Sequence, residues 1–201
     1  MRTLLLLTLA ACTGAKPDDT GATDTGDTGA DTDSGDTDTG ASLPEPLTDG
    51  FAALLTNDAG CTDVSLYAYA PDGTVVLTFY ADGAATAAHD AGGPVSFRWD
   101  FPSDAADAPR LEVEQGTELD NLLCNDLIEG DPVVLRRWVP VAGTASLSVE
   151  PTGERTDWGE VPSLADLVLT DVAFVPEDAP DTTPVQLGEL AISSGVGWMP
   201  G

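Results

Sequence analysis

The sequence of residues 44–201 predicts an all-β domain, an antiparallel β-sandwich of about seven to nine strands with at most one or two short helices. Apolar and polar residues alternate with a period of two in successive segments, as in strands that bury one face. Turn-forming residues recur between these segments at the spacing that is typical of a sandwich. A small β-barrel is the alternative architecture for the same pattern.

The first two predicted strands, residues 64–69 and 74–80, form a hairpin. In each strand every second residue is apolar, which places those residues on one face. The connection Ala70-Pro71-Asp72-Gly73 is a turn, because proline fixes its own φ and glycine adopts a left-handed conformation without strain. The residues that we expect to face the core are Val64, Leu66, Ala68, Val75, Leu77 and Phe79.

The next strand, residues 95–101, shows the most regular alternation in the chain, and Trp99 is among its core-facing residues. Leu111 and Val113 mark a short strand after it. Residues 133–141 and 145–149 predict a second hairpin that turns at Ala142-Gly143. The remaining predicted strands are residues 165–175, bulged near Asp171, and residues 185–193, which residues 195–198 extend.

Two segments predict short helices. Residues 117–127 carry leucines on one helical stripe, although an ordered loop is the alternative, and residues 51–56 form the second candidate. By contrast, His89-Asp90 lies between an alanine-rich stretch and Gly92-Gly93, which predicts an exposed loop with a solvated histidine. The leucines of the stripe are Leu119, Leu122, Leu123 and Leu127.

No segment carries a recognisable catalytic motif. His89 is the only histidine, there is no G-x-S-x-G nucleophile elbow, and no glycine-rich loop precedes a helix that would bind phosphate. Paired carboxylates can hydrolyse glycosides, but a chain this acidic places some pairs close together by chance. We therefore expect a protein that is not an enzyme and has no organic cofactor.

The first 12 residues predict an export signal. Arg2 precedes an apolar run that is too short for a transmembrane helix of about 20 residues. The run ends in Leu9-Ala10-Ala11-Cys12, which resembles the lipobox of bacterial lipoproteins. The resemblance implies cleavage before Cys12, attachment of a diacylglycerol to its thiol and acylation of the new amine.

The same resemblance implies a location in the cell envelope. Several acyl chains on one cysteine hold a protein at a membrane far more firmly than one chain does. Thr13 follows Cys12, and the absence of Asp at that position implies sorting to the outer membrane. We thus expect residues 1–11 to be a signal peptide and Cys12 to be the site of lipidation.

Residues 13–43 predict a disordered tether between the lipid and the domain. They consist mainly of Asp, Thr, Gly, Ser and Ala, and such a composition cannot offset the entropy cost of ordering the chain. The segment 31–36 has some likeness to a calcium-binding loop, but it lacks the required glycine and glutamate. The expected organisation is a signal peptide, a lipidated tether over residues 12–43 and one domain over residues 44–201.

The charge of the chain is strongly negative. Of 35 acidic residues, eight lie in the tether, which leaves 27 in the domain against five arginines. Such a surface repels nucleic-acid backbones and does not dock on anionic lipid through a basic patch. High net charge also favours a soluble monomer. The expected contacts are the membrane, through the lipid, and an unidentified protein or glycan.

Cys61 and Cys124 predict a disulfide. Once Cys12 is assigned to lipidation, they are the remaining even pair in an exported chain. A zinc site is the alternative, but it needs further soft ligands and the domain offers one histidine.

Two ligand hypotheses remain open. Oxygen-rich side chains in residues 120–131 form a candidate Ca²⁺ site, as in an adhesion module, although a helix and loop with a solvated acidic face is the simpler explanation. Tyrosines opposite the core face of the first hairpin suit stacking on a sugar or a protein partner, unless a loop covers them. The predicted function is a non-enzymatic binding or structural module of the envelope, with a glycan-binding or glycan-cleaving domain as the alternative. The candidate residues are Asp120, Asn125, Asp126, Glu129 and Asp131 for the metal, and Tyr67, Tyr69 and Tyr80 for the ligand.

Overall fold

The structure is a computed structural model that describes residues 44–105, 107–124 and 130–198. The chain divides into two units, residues 1–39 and 40–201, and the described residues belong to the second. The predicted signal peptide, Cys12 and the tether therefore lie outside the described residues. The same is true of three candidate metal ligands, Asn125, Asp126 and Glu129.

Antiparallel strands dominate the described part of the chain, so the all-β prediction is confirmed. One α-helix and two short 3-10 helices, Phe51–Leu54 and Leu119–Leu122, accompany them. The strands and helix are β1 (Asn57–Cys61), β2 (Ser65–Tyr69), β3 (Val75–Tyr80), α1 (Ala84–Ala91), β4 (Val95–Phe101), β5 (Arg110–Thr117), β6 (Val133–Pro151), β7 (Ser163–Pro176), β8 (Val185–Gln186) and β9 (Leu190–Val196).

The strands form an open sheet that folds over into a sandwich, not a closed barrel. Its order is β1-β2-β3-β5-β6-β7-β8, while β4 pairs with β6 and β9 pairs with β7. The first half of β6 lies beside β5 and its second half lies beside β4. Because β7 follows β6 along almost its whole length, these two long strands contribute to both layers.

The second predicted hairpin is wrong, because β6 runs without a turn through Ala142-Gly143. The ladder between β6 and β7 instead shifts register on both sides of Ala142. Gly143 has φ 109°, and a Cβ there would lie 2.4 Å from Cα of Val172. Asp171, on the facing strand, has φ 52°, so the predicted bulge at this residue is confirmed. The bulges bend the strand pair from one layer into the other.

The first predicted hairpin is confirmed. The amide of Ala70 donates to the carbonyl of Val75 at 2.9 Å, and the amide of Gly73 donates back to the carbonyl of Ala70 at 2.9 Å. Gly73 has φ 67°, the left-handed conformation that the sequence predicted. All six residues predicted to face the core are at most 5% exposed.

The predicted exposed loop around His89 is wrong, because Ala84–Ala91 form α1. Alanine has the highest helix propensity, and Gly92, at φ 67°, ends the helix in the left-handed conformation. Ala84, Ala85 and Ala88 are buried against the sheet, and His89 is partly buried rather than solvated. Small alanine side chains bury little area, so the sequence gives almost no apolar stripe to recognise.

Within the described residues both predicted helices are present only as shorter 3-10 turns, and residues 125–127 of the first prediction lie outside those residues. Residues Leu119–Leu122 form a 3-10 helix where the sequence predicted a helix over 117–127. The 3-10 helix begins later than predicted because β5 continues to Thr117. The 51–56 candidate is the 3-10 helix Phe51–Leu54. Strand β1 has the sequence Asn-Asp-Ala-Gly-Cys, which lacks alternation, and it was not predicted.

The core lies between the two layers. Phe79 of β3 and Phe174 of β7 are fully buried there, and Trp99 of β4 packs against Phe79 with ring centroids 6.0 Å apart. Trp99 also stacks on Phe97 at 5.4 Å. Trp99 is thus a core-facing residue, as its place in the alternating pattern predicted.

Candidate functional site: a cleft between two tryptophans

Trp158 and Trp198 line one cleft of about 180 Å³ at the end of the sandwich. Trp158 is 91% exposed and Trp198 is 38% exposed, although large aromatic side chains are normally well buried. We call this site the tryptophan cleft. Its polar lining residues are Thr62, Asp63, Thr86 and Glu160.

Backbone hydrogen bonds hold the walls of the tryptophan cleft together. The amide of Thr62 donates to the carbonyl of Trp198 at 2.9 Å, and the amide of Gly197 donates to the carbonyl of Thr62. The amide of Val161 donates to the carbonyl of Gly197 at 2.7 Å. The end of β1, the end of β9 and the loop before β7 are therefore fixed relative to one another.

Gly197 allows these three segments to approach. Its φ is 82°, and a Cβ at this position would lie 1.9 Å from the carbonyl oxygen of Val161. No side chain fits at that distance, so glycine is required on both conformational and steric grounds. The residue that follows, Trp198, is positioned by this close contact.

A tight loop presents Trp158. The amide of Thr156 donates to the carbonyl of Glu160 at 3.0 Å, and the amide of Glu160 donates to Oγ1 of Thr156 at 3.1 Å. The Thr156 hydroxyl donates to Oε2 of Glu160 at 3.3 Å. These bonds join the two ends of the loop and fix its conformation. Trp158 lies at the tip of the loop, and its side chain packs against little of the rest of the protein.

Asp63 connects the tryptophan cleft to α1. Its Oδ1 accepts hydrogen bonds from the amides of Ala85 at 2.7 Å and Thr86 at 3.2 Å. The residue at the N-cap, Gly83, has no side chain with which to accept them. Asp63 therefore replaces the missing cap, and its negative charge lies at the positive end of the helix.

The other end of α1 contacts the loop that carries Trp158. Nε2 of His89 lies 3.1 Å from the carbonyl oxygen of Pro162. Arg155 donates to Asp90 at 2.9 Å, in an exposed ion pair. Helix α1 thus contacts both sides of the tryptophan cleft. The structural role of the single histidine is its contact with the loop that carries Trp158.

The three predicted tyrosines do not line the tryptophan cleft. Tyr67 and Tyr69 lie on the face opposite the core, as predicted, but both are partly buried. Tyr80 is 38% exposed and donates to Oδ1 of Asp82 at 3.2 Å. Burial raises the pKa of the Tyr80 hydroxyl, and the hydrogen bond to Asp82 and the charges of Asp82 and Asp63 act in the same direction.

The described residues do not bring a metal site together. Oδ1 of Asp120 packs against Gly73, and the amide of Asp131 donates to Oε2 of Glu118 at 3.2 Å. Over residues 44–105, 107–124 and 130–198, no three His, Cys, Asp or Glu side chains are grouped to hold an ion. The other predicted ligands lie outside these ranges, so the Ca²⁺ site stays a prediction.

Sequence reasoning missed Trp158 and Trp198. Trp158 stands in Thr-Asp-Trp-Gly-Glu, a polar segment with no apolar partner two residues away. An aromatic residue that is isolated in this way is not part of a predicted core strand. The sequence therefore already indicated that Trp158 is exposed. Trp198 follows Gly195-Val196-Gly197, and only the hydrogen bonds of Gly197 reveal that it faces the same cleft.

No helix among the described residues is long and apolar enough to cross a membrane. Comparisons with protein families, with curated proteins and with solved structures give no match to this chain.

Proposed function

We propose that this chain is a lipid-anchored envelope protein whose β-sandwich domain binds a glycan in the tryptophan cleft. The observation that carries the proposal is the 91% exposure of Trp158 on a loop that its own hydrogen bonds hold closed. An exposed indole costs solubility and contributes little to folding, so a binding role is its best explanation.

The lining of the tryptophan cleft suits a sugar. Indole faces stack on the apolar faces of pyranose rings, while carboxylates and hydroxyls accept and donate hydrogen bonds to sugar hydroxyls. Asp63 and Glu160 supply the carboxylates, and Thr62 and Thr86 supply the hydroxyls. The cleft is smaller than the roughly 300–1,000 Å³ of drug-sized ligand sites, so it suits one ring or one chain end.

The charge of the domain narrows the ligand class. Its 27 acidic residues against five arginines repel polyanions, so a neutral glycan is favoured over a sulfated or uronate-rich one. Binding is also favoured over cleavage. One oxygen of Asp63 already accepts hydrogen bonds from two amides of α1, so this carboxylate has a structural role in the helix cap.

The lipid anchor is the second part of the proposal. The lipobox-like run Leu9-Ala10-Ala11-Cys12 supports it, and the Asp/Thr/Gly-rich residues 13–43 suit a spacer between membrane and domain. Labelling of growing cells with palmitate should mark the wild-type protein and not a Cys12→Ser variant. An unlabelled wild-type protein would contradict the anchor and leave the tryptophan cleft untouched.

Glycan binding is tested by calorimetric titration of the protein with a panel of neutral envelope oligosaccharides, because heat is still recorded when a tryptophan is removed. Trp158→Ala should weaken binding at least about tenfold, because it removes the stacking surface. Its thermal melting temperature should stay unchanged, since the side chain packs on little. Tyr80→Ala is the matched control, because it removes an aromatic ring that lies outside the cleft.

Unchanged affinity in Trp158→Ala would place the ligand elsewhere on the surface, and equal losses in Trp158→Ala and Tyr80→Ala would mean that the loss is not specific to the cleft. Loss in Tyr80→Ala alone would favour the tyrosine face that the sequence suggested. No binding of any oligosaccharide would count against the glycan proposal.

A further inference from the structure

Arg136 differs from the other arginines of the domain. Each of the other four pairs with an acidic side chain, whereas the described residues provide no ion pair for Arg136. Its Nε is buried and has no hydrogen-bond acceptor there. In a domain where acidic residues outnumber arginines so heavily, an unpaired guanidinium needs an explanation. The four pairs are Arg98–Asp100, Arg110–Glu112, Arg137–Glu114 and Arg155–Asp90.

Arg136 lines a cavity of about 270 Å³ that is otherwise mainly apolar. Leu47, Trp138, Pro176 and Val185 form much of its wall. Asp178 also borders the cavity, but it is exposed and forms no ion pair with Arg136. Arg136 is partly buried, and its buried Nε faces the apolar side of this wall, where a partner of opposite charge interacts more strongly than in water.

Hydrogen bonds within the protein fix the polar end of the cavity wall before any ligand binds. Trp138 donates from Nε1 to Oε1 of Gln115 at 2.8 Å, and Gln115 donates from Nε2 to the carbonyl of Glu45 at 3.1 Å. Gln115 is directly opposite Arg136 in the ladder between β5 and β6. The hydrogen bonds join the segment before the first strand to the sheet and hold the cavity open beside Arg136.

We propose that this cavity binds a small carboxylate with an apolar body, and that Arg136 neutralises the carboxylate. The guanidinium presents donors in a fixed fork that matches two carboxylate oxygens, and the apolar wall accepts an alkyl chain. The strongly negative domain repels simple anions, so burial of the apolar body has to supply part of the affinity. This site is separate from the tryptophan cleft, and neither proposal depends on the other.

The test is calorimetric titration of the full chain with hexanoate, with hexanamide and with acetate. Hexanamide keeps the alkyl body without the charge, and acetate keeps the charge with almost no body. Hexanoate should bind, and each of the other two should bind at least about tenfold more weakly. Failure of hexanoate to bind, or equal binding of hexanamide, would overturn the proposal.

Variants assign the binding to Arg136. Arg136→Met should reduce hexanoate affinity at least about tenfold, because it keeps the length of the side chain and removes the charge. Arg98→Met is the matched control: it removes one positive charge from an exposed site and should leave the affinity unchanged.

Thr183→Trp narrows the rim of the cavity without changing the charge, and it should also abolish binding. Wild-type affinity in Arg136→Met would refute the assignment, whereas unchanged binding in Trp158→Ala confirms that the two sites are independent.

Discussion

Cys61, the last residue of β1, is joined to Cys124 by a disulfide, with their Cα atoms 5.7 Å apart. The sequence predicted this pair, and the two cysteines are 63 residues apart in the chain. Cys61 is 2% exposed and directly precedes Thr62, a residue of the tryptophan cleft. The crosslink therefore connects the segment after β5 to the strand end that supports the cleft.

Removal of the disulfide should destabilise the domain strongly. A crosslink that closes a loop of this length lowers the conformational entropy of the unfolded chain. On the chain-entropy argument this stabilises the folded state by about 4 kcal/mol. We expect Cys61→Ala/Cys124→Ala to lower the free energy of unfolding by roughly that amount in urea titrations followed by circular dichroism. Reduction of the wild-type protein with a thiol reagent should give the same shift. Identical midpoints for the double variant and the oxidised wild type would contradict the prediction.

The sequence was sufficient for the strands that alternate. In β2 and β3 every second side chain is buried, together with Ser65 and Val76, and in β4 exposed side chains alternate with partly or fully buried ones. An apolar period of two has no other simple explanation. β1 was missed because its polar and small residues pair through the backbone and carry no apolar signal. The turn predicted at Ala142-Gly143 failed for a different reason. A glycine marks a bulge as readily as a turn, and only the facing strand distinguishes them.

The tryptophan cleft was beyond sequence reasoning because its residues come from four separate places in the chain. Backbone hydrogen bonds bring together the segments of Thr62, Trp158 and Trp198 at one end of the sandwich, and the Asp63 side chain holds Thr86 beside them. No periodic pattern encodes such a convergence. The sequence equally does not reveal that Arg136 has no ion pair among the described residues, because Arg136 and its neighbour Arg137 look alike there, whereas in the structure Arg137 pairs with Glu114.

Gly143 should not tolerate a side chain. Gly143→Ala places a Cβ 2.4 Å from Cα of Val172 at φ 109°, so the bulge between β6 and β7 has to move. We expect a loss of at least about 2 kcal/mol in the free energy of unfolding. Gly195→Ala is the control, because no atom lies within 4 Å of a Cβ at that position in β9. Similar melting temperatures for the two variants would show that the bulge adapts.

Asp63 should act as the cap of α1. Asp63→Ala leaves the amides of Ala85 and Thr86 without their acceptor, and we expect a loss of about 1 kcal/mol in stability. Asp63→Asn keeps an acceptor and should lose clearly less. Hydrogen exchange of the two amides gives the local measurement, since both should exchange faster in Asp63→Ala. If exchange is unchanged while stability falls, Asp63 stabilises the fold by another route.

Asp72 should make the first hairpin sensitive to acid. The Thr74 hydroxyl donates to Oδ1 of Asp72 at 2.7 Å, and this bond, with a weaker one from the Thr74 amide, lowers the pKa of the Asp72 carboxyl below its ordinary 3.8. A carboxyl whose pKa is lower when folded contributes stability above its unfolded pKa and loses that contribution as the pH falls through the folded pKa. Because Asp72 is exposed, the contribution should not exceed about 1 kcal/mol.

The measurement that checks this prediction is the difference in unfolding free energy between the wild type and Asp72→Asn. The difference should be constant from about pH 7 to about pH 5 and should narrow below about pH 4, as the wild-type carboxylate is protonated. Thr74→Val should reduce the same pH dependence, because it removes the hydroxyl donor that contributes most to the lowered pKa. Thr74→Ser keeps that donor and should behave like the wild type. A difference that stays constant down to about pH 2.5 would mean that Thr74 does not stabilise the charged form of Asp72.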